Sequence, residues 1–183
     1  DTTEFSKVYR HKEDNMDYLQ TIDTDDLTNP TSTRKYDLGI RFRDVSSTDA
    51  IKPEYIYVKS HGALTQYQPY QISSSNTAGS EVITKAPATT ASGAVVVAPQ
   101  VAVTSGYYAW VQVKGKATVT TTDTVAAGDF VEVLNGGSGL KLDGGSTGST
   151  AEGNQSVGIA ATATSGGSAT IVLSGSLVKV AAS

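Results

Sequence analysis

Apolar residues in this chain recur at every second position in short runs, and Gly, Asn, Asp, Ser and Thr separate the runs. Leu38, Ile40 and Phe42 alternate with Gly39, Arg41 and Arg43, the period-two pattern of a strand with one buried face. Tyr55-Ile56-Tyr57-Val58-Lys59 predicts a second strand, and His61-Gly62 turns the chain. A third short strand is expected between Ala63 and Ile72, with Pro69 placing it at a sheet edge. Further β-like runs follow at Glu81-Val82-Ile83, Ala94-Val95-Val96-Val97, Tyr107 to Val113, Ala117 to Thr120, Phe130 to Leu134 and Leu140 to Leu142. The last three are Ser156 to Ala160, Ala169 to Leu173 and Leu177 to Val180. No helical periodicity persists beyond a turn or two. Strands at this spacing predict an all-β fold, a small antiparallel barrel or sandwich.

The pattern weakens at the N-terminus. Residues 1–35 are polar and charged, with apolar residues spaced too loosely for a core, and they read as an extended N-terminal arm. Tyr18, Leu19 and Ile22 have the spacing of neighbours on one face of a short helix. The arm is expected either to be a disordered tail or to order against a partner. In the second case Tyr9, Tyr18, Leu19 and Ile22 supply apolar anchors, and Asp23, Asp25 and Asp26 face basic residues of a larger partner or a neighbouring protomer. Residues 36–183 form the β-rich domain. Within it, 73–92 read as an insertion or loop and 144–153 as a mobile Gly/Ser loop. Asn135-Gly136-Gly137-Ser138-Gly139 reads as a hairpin connection.

Composition narrows the function classes. The 183 residues carry 18 glycines and only 38% hydrophobic residues, so one chain buries little apolar surface and association is expected to add stability. A net charge of −4 and no long basic run exclude the electrostatic footprint of a nucleic-acid binder. There is no cysteine for a disulfide or a thiolate metal site. No stretch has the length of an apolar membrane span, and Asp1-Thr2-Thr3-Glu4 is not a signal peptide, so cytoplasmic synthesis is the expectation.

Catalytic candidates fail on context. Gly144-Gly145-Ser146-Thr147-Gly148 has nucleophile-elbow spacing but lies in a low-complexity loop, not between strand and helix. His11 sits in the arm and His61 at a turn. Asp23, Asp25 and Asp26 lack the central Gly and distant Glu of a helix–loop–helix calcium site. No enzyme activity, cofactor or metal is expected. In Tyr107-Tyr108-Ala109-Trp110-Val111-Gln112-Val113, Tyr108 and Trp110 share one face, and the single tryptophan reads as a core anchor.

Gly106-Tyr107-Tyr108-Ala109-Trp110-Val111-Gln112-Val113, followed by Ala117-Thr118-Val119 and then Val125-Ala126-Ala127-Gly128-Asp129, resembles the tailed-phage capsid decoration (head cement) proteins. Val157-Gly158-Ile159-Ala160 matches a later strand of that family, and Tyr55 to Lys59 with Gly62-Ala63-Leu64 matches an upstream segment. The resemblance spans about 36–180 and implies a β-tulip-like domain. It further implies a bacteriophage virion protein on the outer capsid surface, a homotrimer whose partner is the major capsid protein and which braces the expanded shell, with no nucleic acid or membrane partner. A different class of function is an adhesive or carbohydrate-binding β-module of a tail or head fibre, with exposed Tyr and Trp stacking on sugars.

Overall fold

The computed structural model describes residues 7–13, 16–73, 83–85, 94–133, 138–142 and 156–178, with side chains within 22–72, 95–133, 138–142 and 156–176. The chain is all-β. Its strands are β1 (Lys7–Glu13), β2 (Met16–Ile22), β3 (Arg41–Arg43), β4 (Glu54–Ser60), β5 (Tyr70–Ser73), β6 (Ile83–Lys85) and β7 (Ala94–Val97). The long β8 (Tyr108–Thr120) follows, then β9 (Phe130–Val133), β10 (Leu140–Leu142), β11 (Gly158–Ala160), β12 (Ser168–Leu173) and β13 (Leu177–Val178). The one helical piece among the described residues is a single 3-10 turn, Thr24–Leu27.

β8 organises the molecule. Its first half pairs with β4, and its second half pairs with β12. From β4 the ladder runs through β6, β5 and β7 to β13, with β3 beside β4; from β12 it runs through β11 and β9 to β10. Every ladder is antiparallel except β4 with β6. Both arrays curl back towards β8. Ala98 exchanges two backbone hydrogen bonds with Gln112, and the Thr122 N–H donates to the Leu140 carbonyl at 2.8 Å. Neither array closes into a continuous barrel, and the result is sandwich-like.

Two apolar cores follow from strict alternation. Ala109, Val111 and Val113 of β8 point into the core of the first array with Ile56, Val58 and Val97. Ala117 and Val119 point into the second, with Val131, Val133, Ile171 and Leu173. β7 lies between them, since Val97 faces one core while Val96 and Ala98 face the other. The opposite face of β8's first half is covered by the chain segment 22–42. Ile22, Tyr36 and Phe42 pack there against Tyr57 and Trp110.

The run from Tyr107 to Thr120 reads in sequence as two strands broken at Gly115, yet it is one strand that bends there. Gly115 has φ +84°, and a Cβ on it would lie 3.0 Å from the Pro53 Cα. The buried Gln112 side chain spans the bend: its Nε2 donates to the carbonyls of Lys114 (3.0 Å) and Lys116 (2.8 Å). The backbone polar groups at the bend are thus satisfied from within the strand, which is why a glycine bends it rather than ending it.

Other expectations shift. Tyr18, Leu19 and Ile22, considered as one face of a short helix, lie on a strand paired in register with β1, Tyr9 opposite Gln20 and Arg10 opposite Leu19. β5 begins one residue after Pro69 and lies between β6 and β7, so it is internal; the proline precedes the ladder and removes no bond from it. Leu38 and Ile40 are outside any strand, although Gly39 and Ile40 still bond to Tyr57. Of the insertion read at 73–92, only Ser73 and 83–85 are described, and 83–85 form β6 between β4 and β5. The 144–153 loop lies outside the described residues, and only Ser138 and Gly139 of the 135–139 connection lie inside. β9 and β10, on either side of it, are antiparallel neighbours.

Candidate interaction surface

The residues read as partner contacts separate into distinct environments. Tyr9, Tyr18 and Leu19 sit on the β1–β2 ribbon, whose side chains are outside the described set. In register, Tyr9 and Tyr18 occupy the same phase as Ile22, and Leu19 the opposite one. Ile22 is 0% exposed and belongs to the chain's own aromatic cluster. Asp23 caps the 3-10 turn by accepting from the Asp25 N–H at 3.0 Å, and Asp25 is exposed.

Asp26 turns inward. Its Oδ2 accepts from the Tyr36 hydroxyl at 2.6 Å, and its Oδ1 accepts from Lys35 Nζ at 2.6 Å. The Asp23 N–H donates to the same Tyr36 hydroxyl at 3.2 Å, and the Lys35 N–H donates to the Tyr57 hydroxyl at 3.1 Å. Burial, with the Asp26 hydrogen bond second, pushes the Tyr36 hydroxyl up to about 12. The hydrogen bond to Asp26 holds the Lys35 ammonium above its ordinary value. The bonds at Asp23 and Asp26 tie the 22–36 segment to itself, and the Lys35–Tyr57 bond latches it onto the sheet. Beneath the latch, Trp110 is 2% exposed, with the Tyr36, Tyr57 and Phe42 rings at 5.3, 5.2 and 6.1 Å. Among the described residues its Nε1 has no hydrogen-bond partner.

Tyr108 and Trp110, in the first half of β8, lie under the 22–42 segment. In the second half, beyond the register shift and the Gly115 bend, the outward positions carry a row of cross-strand neighbours: Phe130 on β9 opposite Ile159 on β11, Ile159 opposite Val172 on β12, and Val172 opposite Lys116 on β8. Phe130 is 55% exposed and Ile159 42%. The next row is polar, with Thr170 opposite Thr118. The loop 44–53 borders the stripe at Lys116, through an Asp49 ion pair at 3.0 Å, and carries the exposed Val45 and Ile51.

Sequence reading passed over this stripe because Phe130 to Leu134 looks like one apolar run. The available signal was phase: Val131 and Val133 claim the inward positions, which leaves Phe130 and Glu132 facing out. Glu132 is nevertheless 3% exposed and paired to Lys141 at 2.7 Å. Among the described residues no group of three or more His, Asp or Glu is placed to hold a metal, and no helix is long and apolar enough to cross a membrane.

No protein-family model matches the chain, and no curated protein matches it. One similar solved structure is the crystal structure of the head fibre gp8.5 N base in bacteriophage phi29. It is 14% identical, with 67% of this chain and 95% of that chain covered at a TM-score of 0.44. A likeness of that extent says nothing of what this chain binds.

Proposed function

We propose that this chain is a structural, non-catalytic decoration protein that binds the outer surface of a tailed-phage head and stabilises its expanded shell. The observation that carries the reading is how the segments resembling the decoration family meet in space. The Trp110 strand is β8, and the segment 55–59 is its partner β4. The turn 125–129 and the strand at 157–160 bond to each other directly: the Gly128 N–H donates to the Ala160 carbonyl and the Ala160 N–H to the Asp129 carbonyl, each at 2.8 Å. The Asp129 carboxylate in turn accepts from the Ala126 N–H at 2.7 Å, which explains an aspartate at the end of that turn. Segments far apart in sequence therefore build one unit around β8, as parts of a common architecture do.

In this reading the partners are the major capsid protein and further copies of the chain, a trimer by the family resemblance. Nucleic acid and membrane are not partners. An oligomer touching several shell subunits holds firmly through small contacts because each further contact forms at high effective concentration. Incubating the purified protein with expanded, undecorated heads tests this. Saturable co-sedimentation and a raised temperature of head disruption are expected. Heads that neither retain the protein nor gain stability would refute the proposal.

A further inference from the structure

The chain's single tryptophan lies beside a tyrosine that carries its own proton acceptor. The Tyr36 ring is 5.3 Å from the Trp110 ring, both residues are buried, and the Tyr36 hydroxyl donates to Asp26 Oδ2 at 2.6 Å. That is the length of a strong, charge-assisted O–H···O⁻ bond. The Lys35 ammonium occupies Oδ1 and leaves Oδ2 to the phenol. The Trp110 Nε1–H, by contrast, has no acceptor among the described residues.

These differences decide where an electron vacancy made on Trp110 settles. An indole that has lost an electron is a strong oxidant, and it weakens when it gives up its N–H proton. Trp110 has no described group at hand to take that proton. A phenol is oxidised easily when its proton leaves with the electron, and Tyr36 already shares its proton with a carboxylate. Tyr57 lies as near, at 5.2 Å, but its hydroxyl accepts from the Lys35 N–H and makes no hydrogen bond to a carboxylate among the described residues. Phe42, at 6.1 Å, has no hydroxyl. We propose that Tyr36 and Asp26 form a radical sink that drains one-electron damage from Trp110. Light that ejects an electron from Trp110 leaves the indole radical cation, and dissolved oxygen takes up the ejected electron. One electron then moves from Tyr36 to Trp110 while the hydroxyl proton moves to Asp26 Oδ2. The products are an intact tryptophan, a neutral tyrosyl radical and a protonated Asp26, and no further reactant is consumed.

The test is ultraviolet flash photolysis of the folded full-length chain in aerated buffer at neutral pH. The tryptophan and tyrosyl radical absorptions are followed in time, and the unfolding midpoint of each variant is measured beside them. In wild type the tyrosyl radical is expected to rise as the tryptophan radical decays, and heavy water is expected to slow the transfer. Tyr36→Phe keeps the ring and is expected to slow that decay at least tenfold. Peptide mass spectrometry is expected to find more oxidised Trp110 in this variant for the same light dose. Asp26→Asn is expected to slow the transfer at least tenfold, and Tyr57→Phe to leave it within twofold of wild type. If Asp26→Asn does not fold, the two tyrosine variants and the heavy-water rate decide. Transfer that survives in Tyr36→Phe, or is lost in Tyr57→Phe, overturns the inference. A wild-type rate in folded Asp26→Asn, or a rate indifferent to heavy water, also overturns it, because the proton then does not move to Asp26 with the electron.

Discussion

At the residue scale, the aromatic cluster and its latch govern what single substitutions do. Trp110 fills the space between Tyr36, Phe42 and Tyr57, so Trp110→Ala is expected to cost about 3–5 kcal/mol by the large-to-small rule, read as a lower unfolding midpoint. The latch makes stability fall in alkali. The Tyr36 hydroxyl is raised above its unfolded value of 10.0, so the folded state favours the neutral form. Its contribution is complete below pH 10 and is lost as pH rises through about 12. The raised Lys35 acts in the same direction, its contribution fading above its ordinary value of 10.5. Urea midpoints between pH 9 and 12 are expected to drop in wild type and to drop less in Tyr36→Phe, which keeps the ring and removes the hydroxyl. An equal drop in both proteins counts against the latch. None of this was legible at Asp23, Asp25 and Asp26 themselves. The three carboxylates look alike in sequence, and only the position of a hydroxyl ten residues on decides which is buried.

At the element scale, the bend in β8 matters most. It lets one strand serve two arrays, so its geometry sets how the two cores sit together. Gly115→Ala places a methyl against Pro53 at a positive φ, and a loss of about 1–3 kcal/mol is expected. Gln112→Leu keeps the bulk but strips two carbonyls of their donor, and a loss of about 1–3 kcal/mol is expected. Chemical denaturation of both variants checks these values. On β11, a Cβ at Gly158 would come 2.4 Å from the Val172 carbonyl oxygen, so Gly158→Ala is expected to displace β11 from β12 and lower the midpoint further. Strands such as β4, β8, β9 and β12 were readable because each has one inward phase of Val, Ile or Ala. Leu38 and Ile40 carry the same alternation without forming a strand. The difference is that Tyr57 bonds to the Gly39 and Ile40 backbone at a turn instead of along a ladder.

At the scale of the whole molecule, the boundary between domain and arm moves towards the N-terminus. Ile22 and Thr31 each bind the sheet, Ile22 in the aromatic cluster and Thr31 through two hydrogen bonds with Tyr108, and Asp26 holds Tyr36, which packs on Tyr57 and Trp110. Removing 1–21 is therefore expected to leave the unfolding midpoint near wild type. Removing 1–35 takes away Ile22 and the latch, uncovers Trp110, and is expected to lower the midpoint steeply. Comparable midpoints for the two truncations would show that the 22–35 segment does not contribute to the core. Low hydrophobic content also leads us to expect a homo-oligomer, the resemblance to decoration proteins favours a trimer, and light scattering of the free protein measures its mass, a monomer counting against it.

The sequence by itself determined the all-β class, most strand positions and the phase of the inward residues, because side-chain alternation is a local property of extended backbone. It also marked Trp110 as the aromatic most suited to the core. Only the tertiary structure decided that one strand crosses both arrays, that half of the presumed arm is a lid on the aromatic cluster, and which outward residues remain bare. Those outcomes depend on what lies across from a residue rather than beside it. Asp26 meets Tyr36 and Phe130 meets Ile159 through chain folding, and pairings across the fold leave no periodic signature in the chain.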